Sequence, residues 1–207
     1  MLRVYYADFS KMETKQDLSL FSDYRKNRLA AISDLRLKKA GITAERLLNT
    51  AVQECFPQIK LPLKISQNSY GKPEADGFYF NLSHSGNFSA CAISDVPVGF
   101  DIQKQACFND AFVKRFFTYE EYQFLRDSKN KDHDFTSFWC LKESYLKAIG
   151  TGLVKPLNSF NIKKTENKFA LVEGQFALWH SVIDSMHFAL CSEKNAKPDC
   201  VCRIELL

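Results

Sequence analysis

The stretch DFTSFWCLKESYLKAIG, which runs from Asp134 to Gly150, predicts one helix over residues 134–149 that stops at the glycine. At 3.6 residues per turn, Glu143 and Lys147 lie one turn apart and face the same way. A neighbouring apolar stripe is formed by Phe138, Leu141, Tyr145 and Ile149. An ordinary surface Glu–Lys pair has the same spacing, so this stretch needs a second observation before it indicates chemistry.

The second observation is PVGFDIQ at residues 97–103, which predicts a buried strand. Asp101 interrupts this apolar run and shares its strand face with Gly99 and Gln103, because side chains alternate along a strand. A buried carboxylate is costly unless it is paired or bound to a metal ion. Asp101 and Glu143 could together hold a hard cation such as Mg²⁺, which usually also binds phosphate oxygens. The sequence therefore predicts a phosphate-bearing substrate.

Two shorter motifs add polar groups. NLSHS at residues 81–85 ends a strand at a turn, so Ser83 and His84 present a hydroxyl and an imidazole at a sheet edge. GKP at residues 71–73 is a rigid turn that displays Lys72, which suits a phosphate. Each motif by itself is equally typical of ordinary structural residues.

Helical and strand patterns follow one another twice along the chain. A strand is predicted at residues 2–9 and a helix from Ser33-Asp34 to about residue 55, and short strands fill residues 61–103. A capping box at Thr118 and Glu121 opens another helix, Asp132 or Asp134 caps the next, and strands return after residue 156. This order predicts an α+β fold of two lobes, residues 1–105 and 106–207, with the ligand site in the cleft between them.

Composition excludes several classes of protein. Of 207 residues, 45% are hydrophobic and 25% are charged, which excludes disordered and collagen-like chains. No apolar stretch approaches the roughly 20 residues of a membrane span, and the start of the chain does not resemble a signal peptide. Seven dispersed cysteines without a second close pair favour reduced thiols over a zinc site. We therefore expect a cytoplasmic protein that does not bind membranes.

Positive charge is concentrated near the N-terminus. The net charge is +4, yet residues 25–39 alone contain six basic side chains and one acidic one. A solvated helix face would explain this charge, and so would a docking site for phosphates or for an acidic protein. The charge pattern leaves both interpretations open.

Taken in order, GKP, NLSHS, VGFDIQ and FWCLKESYLK resemble the motifs of the 4′-phosphopantetheinyl transferases of the Sfp (surfactin-synthetase-activating) type. The resemblance implies two similar α/β lobes packed as a pseudo-dimer, with coenzyme A in the cleft between them. It also implies an enzyme of the holo-[acyl-carrier-protein] synthase type. Such an enzyme moves the phosphopantetheine arm of coenzyme A onto a serine of an apo acyl- or peptidyl-carrier protein. The reaction requires Mg²⁺, with Mn²⁺ as an alternative, and releases 3′,5′-ADP.

The same resemblance assigns roles to individual residues. Asp101 and Glu143 become metal ligands, and Lys147 becomes a catalytic lysine that serves as base or orients the pyrophosphate. The serine proton would go to either Glu143 or Lys147, and the sequence does not choose between these two bases. The residues implied to contact coenzyme A are Lys72, Ser83 and His84, with one or more of Arg25, Lys26, Arg28 and Arg36 at the 3′-phosphate. The family often has glutamate where this chain has Gln103, so the third metal ligand would be the amide oxygen or a water molecule.

The implied partner is an acidic, helical carrier protein, which the basic segment could steer. The protein is expected to act as a monomer and without nucleic acid. One alternative is a non-catalytic module that binds coenzyme A or nucleic acid through its basic helix. A second alternative, a hydrolase that pairs His84 with Ser85 or a cysteine, lacks a nucleophile elbow.

Overall fold

Two compact units divide the chain. The computed structural model describes residues 1–13, 16–166, 168–172, 174–193 and 195–206. Unit 1 comprises Met1–Pro97 and Pro198–Leu207, whereas unit 2 comprises Val98–Lys197. Each unit combines helices with β-sheet, which confirms the predicted α+β class.

The elements follow one another along the chain with these bounds. The helices are α1 (Asp23–Ala31), α2 (Leu35–Cys55), α3 (Asp110–Phe116), α4 (Tyr119–Asp127) and α5 (Lys131–Ile149), and short 3₁₀ turns occupy Gly152–Val154 and Leu157–Ser159. The strands are β1 (Leu2–Asp8), β2 (Ser66–Gln67), β3 (Pro73–Glu74), β4 (Tyr79–Ser85), β5 (Phe88–Ser94), β6 (Val98–Lys104), β7 (Ile162–Thr165), β8 (Lys168–Leu171), β9 (Ala177–Ile183), β10 (Met186–Ser192) and β11 (Cys200–Arg203). In the part of the chain that is described, no helix has the length and apolar character needed to cross a membrane.

Unit 1 is built on a four-stranded sheet with the order β11-β1-β5-β4. Strand β1 pairs antiparallel with β5 and parallel with β11. Helix α2 packs on this sheet because its apolar residues recur at helical spacing. The buried contacts join Leu47, Leu48, Ala51 and Val52 of the helix to Tyr5, Phe80, Cys91 and Ile93 of the sheet.

Unit 2 is built on a three-stranded antiparallel sheet with the order β6-β10-β9. Helix α5 lies across β6 and β10. Its apolar side chains enter a core that is shared with α3, α4 and the segment before β7. Strands β7 and β8 form a separate two-stranded antiparallel pair. Strand β6 therefore lies directly against α5.

Several local predictions are confirmed. Thr118 and Glu121 form the predicted capping box at the start of α4. Asp34 caps α2 by accepting from the backbone N–H of Leu37 at 2.9 Å. Gly150 ends α5 in the left-handed conformation, with φ of 72°, which glycine adopts without a steric penalty.

The predicted start of α5 is wrong. The helix begins at Lys131 with Asn130 at the N-cap position, three residues before the predicted range of 134–149. Asp132 and Asp134 lie in the first turn instead of capping it. The carboxylate of Asp132 accepts from the N–H of Phe108 at 2.7 Å, and that of Asp134 pairs with Lys164, so both groups serve tertiary contacts.

The predicted lobe boundary at residues 105–106 also differs from the structure. Strand β6, which carries Asp101, pairs with β10 and therefore belongs to unit 2. Strand β11 belongs to unit 1 because it pairs with β1. Strand pairing decides the boundary between the units. The order of helical and strand patterns along the chain does not show which strands pair. The pseudo-dimer and the cleft remain predictions.

Candidate active site

Helix α5 approaches β6 at Gly99. A Cβ atom on this residue would lie 1.9 Å from the carbonyl oxygen of Ser144 and 2.2 Å from the backbone nitrogen of Ala148. No real side chain fits in that space. Glycine is therefore required for the close contact that brings α5 to the strand of Asp101, two residues further on.

Asp101 lies in the middle of β6 and is only 2% exposed. Its Oδ1 accepts from Lys147 Nζ at 2.6 Å, and its Oδ2 accepts from Gln103 Nε2 at 3.3 Å. The Gln103 contact agrees with the predicted strand parity, because both side chains lie on one face of β6. The burial of this carboxylate is thus offset by an ion pair and a hydrogen bond.

Glu143 lies one helical turn before Lys147 and is half-buried. Burial raises the pKa of its carboxyl group, and the negative charge of Asp101 raises it further, whereas the positive charge of Lys147 acts in the opposite direction. The structure thus brings Asp101, Glu143 and Lys147 into electrostatic contact, together with Gln103. All four belong to unit 2.

The oxygen donors of this group fit a hard divalent cation. Two carboxylates and an amide oxygen are the ligand types that Mg²⁺ and Mn²⁺ prefer, with phosphate oxygens and water completing the shell. Within the described residues there is no set of three or more His, Cys, Asp and Glu side chains that could hold a metal ion. A cation bound by Asp101 and Glu143 therefore depends on oxygen ligands from elsewhere, and a phosphate-bearing substrate would supply them.

Helix α5 also carries a buried ion pair that the sequence did not predict. Lys142 Nζ lies 2.9 Å from Glu121 Oε2, and both side chains are fully buried. Burial lowers the pKa of Lys142 and raises that of Glu121, and each charge opposes the shift of its partner. The sequence does contain a signal for a buried lysine, because Lys142 lies at helical spacing from Phe138 and Tyr145 and therefore on an apolar face of α5.

A cavity of about 280 Å³ lies beside Gln103. Its surface is mainly apolar and includes three aromatic side chains, and its lining consists of Gln103, Lys104, Ala106, Asn109, Phe112, Phe135, Thr136 and Trp139. Trp139 precedes Glu143 by four residues and therefore lies on the same side of α5. The candidate cation group thus has an apolar cavity as its neighbour within unit 2.

The residues predicted to contact coenzyme A all lie in unit 1. Ser83 is buried and His84 is exposed, both near the end of β4. The exposed Arg36 reaches the turn after β4, where its Nη1 donates to the carbonyl oxygen of Gly86 at 3.0 Å. Lys72 lies in the turn between β2 and β3, where its N–H donates to Asn68 Oδ1.

The other two predicted arginines lie on α1 and have local partners. Arg25 pairs with the buried Glu45 at 3.3 Å and is itself 11% exposed. Arg28 donates to the hydroxyl of Tyr24 at 2.8 Å and is exposed. Among the predicted arginines, Arg28 and Arg36 are therefore more accessible to a ligand than Arg25.

Comparison with known proteins places this geometry in a family. Residues 97–194 match the family model of the 4′-phosphopantetheinyl transferase superfamily, and they nearly coincide with unit 2. The 4′-phosphopantetheinyl transferase ffp of Bacillus subtilis is 30% identical over 170 residues, which cover 79% of this chain and 75% of that protein. The transferase Sfp of Bacillus subtilis strain 168 is 29% identical over 160 residues, 74% of this chain and 71% of Sfp.

A more similar but shorter match is the transferase gsp of Aneurinibacillus migulanus. It is 42% identical over 106 residues, which span 49% of this chain and less than half, 44%, of gsp. The similarity to ffp, in contrast, extends over most of both proteins. This chain belongs to the 4′-phosphopantetheinyl transferase superfamily and is a transferase of the Sfp type.

Proposed function

We propose that this protein transfers the 4′-phosphopantetheine arm of coenzyme A to a serine hydroxyl of an apo acyl- or peptidyl-carrier protein and releases 3′,5′-ADP. The observation that carries the proposal is the group formed by Asp101, Glu143 and Lys147 on β6 and α5. Two carboxylates and an ammonium group on adjacent rigid elements suit a reaction at a pyrophosphate.

The reaction forms one bond and breaks another at the same phosphorus atom. The serine oxygen forms a bond to the β-phosphorus of coenzyme A, and the bond from that phosphorus to the bridging oxygen of the 3′,5′-ADP breaks. The serine proton must move to a base in the site. Lys147 donates to Asp101 and thus stabilises negative charge as an ammonium group, so we assign the base role to the carboxylate of Glu143.

Asp101, Glu143 and the amide oxygen of Gln103 would hold Mg²⁺, or Mn²⁺ in its place. The ion supplies charge neutralisation at the pyrophosphate. Lys147 adds a second positive charge near the leaving group. The apolar cavity beside Gln103 suits the uncharged part of the pantetheine arm, which carries methyl groups next to its phosphate.

For unit 1, we propose that Lys72, Ser83 and His84 bind coenzyme A. We assign the 3′-phosphate to Arg28 and Arg36 in preference to Arg25, because Arg25 already pairs with Glu45. The remaining positive charge of residues 25–39 would attract an acidic carrier protein. Action as a monomer in the cytoplasm remains part of this proposal.

Intact-mass spectrometry of an apo carrier protein tests the proposal. The carrier is incubated with this protein, coenzyme A and Mg²⁺, and the expected product carries one added phosphopantetheine on its serine. A carrier with that serine replaced by alanine is the control. An unmodified carrier after incubation with several acyl- and peptidyl-carrier proteins would refute the proposal.

A further inference from the structure

Helix α5 carries a fully buried charge one residue before Glu143. Besides its ion pair with Glu121, Lys142 Nζ donates to the carbonyl oxygens of Leu157 and Phe160, both at 2.8 Å. These three partners use all three hydrogens of the ammonium group. Because three acceptors hold this ammonium group and it is fully buried, the group is fixed in one position.

Glu121 extends this network to two further elements. Its Oε2 accepts from the N–H of Thr118 at 3.0 Å, and its Oε1 accepts from the N–H of Ile162 at 2.7 Å. The ion pair therefore joins α4, α5 and the chain between Leu157 and Ile162. We refer to Glu121 and Lys142 as the buried pair.

The buried pair and Gly99 hold α5 from opposite sides. Successive residues of a helix are rotated by about 100°, so Lys142 and Ser144 are separated by about 200°. Ser144 is the residue whose carbonyl oxygen packs against Gly99. A helix held at two opposite points has a defined rotation about its axis, and that rotation sets where Glu143 and Lys147 point.

We propose that the buried pair is a positioning element of the active site, which fixes the rotation of α5 so that Glu143 and Lys147 face Asp101. This inference rests on the proposed transferase function. A buried ion pair contributes little stability compared with well-packed apolar side chains. We therefore assign it a role in selecting one arrangement of the helix. Displacement of catalytic groups by about 1 Å costs about 100-fold in rate.

Lys142→Met tests the inference, because methionine has a similar length without the charge. The matched control is Lys164→Met, which removes another ion pair of α5, the 2.6 Å contact with Asp134 in its first turn. Carrier modification is measured at several coenzyme A concentrations, with each variant kept below its own melting transition. Lys142→Met should lower kcat about tenfold or more with KM for coenzyme A unchanged, whereas Lys164→Met should change kcat less than about twofold.

Glu121→Gln provides a second variant, which decides the question if Lys142→Met does not fold. It keeps the side-chain size and removes the charge, and it should also lower kcat with KM unchanged. The double variant should lose no more than the more affected single variant, because the two residues act as one unit.

Three results would overturn the inference. Equal kcat in Lys142→Met and the parent would show that α5 is positioned without the pair. Equal losses in Lys142→Met and Lys164→Met would assign the effect to general stability, and a rise in KM alone would assign it to binding. An inactive parent protein would refute the proposed function and this inference with it.

Discussion

Lys147 Nζ lies 2.6 Å from Asp101 Oδ1, so a helix and a strand 46 residues apart in the chain meet in one ion pair. The Asp101 side chain is 3% exposed and the Lys147 side chain is 27% exposed, which places the pair at the edge of the core. Lys147 neutralises a carboxylate that is also a candidate cation ligand. A divalent cation at Asp101 would share this carboxylate with the ammonium group.

Loss of either carboxylate should abolish transfer. We expect Asp101→Ala and Glu143→Ala to lower the rate by at least about 100-fold, because each removes half of the protein's negative charge at the cation. Both variants should retain the parent's circular dichroism spectrum. Asp127→Ala, which removes an exposed carboxylate on α4, is the control and should keep the parent's rate. Near-normal turnover in either site variant would contradict the assignment of metal ligands.

The two candidate phosphate-binding lysines should affect different kinetic constants. Lys147→Ala should lower kcat strongly with a smaller effect on coenzyme A affinity, because this lysine acts on charge that develops during the reaction. Lys72→Ala should weaken coenzyme A binding and leave kcat closer to that of the parent. Calorimetric titration with coenzyme A and steady-state kinetics separate the two effects. Reversed effects would mean that the roles are exchanged.

Gln103→Glu should strengthen cation binding and lower the thermal stability of the protein without a bound cation. The Gln103 side chain contacts Asp101 Oδ2 at 3.3 Å, so a carboxylate here adds negative charge directly beside Asp101 and near Glu143. The ion-free variant should melt at a lower temperature than the parent, and its stabilisation by Mg²⁺ with coenzyme A should be larger. Melting scans with and without both ligands check this. If neither the melting shift nor the activating Mg²⁺ concentration changes, residue 103 is not at the cation.

Gly99→Ala should destabilise unit 2. The added Cβ would collide with the backbone of Ser144 and Ala148, and overpacking of this kind costs about 1–3 kcal/mol or more. Gly41→Ala is the control, since its nearest contact is the side-chain end of Leu29 at 3.0 Å, which can move. Urea unfolding should show a large loss for the first variant and little change for the second. Equal stabilities would mean that α5 does not depend on this close contact.

Stability should fall in mild acid because of two imidazoles in unit 2. Burial, followed by the charges of His187 and His133, lowers the pKa of His180 to about 3, and burial with the charge of His133 lowers that of His187 to about 4. The ordinary value in an unfolded chain is about 6.5, so the unfolded state binds more protons between these limits. The contribution of the two imidazoles to the free energy of unfolding is therefore complete above about pH 6.5 and is lost as the pH falls towards 4.

Unfolding experiments between pH 4 and pH 7 measure this effect. His180→Leu should flatten the dependence of stability on pH, because it removes one of the two groups. His84→Asn is the comparison variant, because it removes an exposed imidazole in unit 1. An unchanged slope for His180→Leu would show that another group controls acid unfolding.

Local signals in the sequence were sufficient for most elements and for the relative placement of the candidate site residues within each element. The capping box at Thr118 and Glu121, the helix stop at Gly150 and the strand around Asp101 all depend on a few neighbouring residues, and the structure confirms each of them. Helical spacing placed Glu143 and Lys147 on one face, and strand parity placed Gln103 with Asp101. These features follow from backbone geometry and side-chain chemistry over short distances, which sequence spacing contains.

Only the tertiary structure decided the contacts between distant segments. Pairing of β6 with β10, and of β11 with β1, set the unit boundary. The same is true of the ion pair between Lys142 and Glu121, which are 21 residues apart, and of the contact of Gly99 with Ser144. Such contacts depend on which surfaces exclude water together and on which buried charges find a partner, and no local pattern specifies either choice.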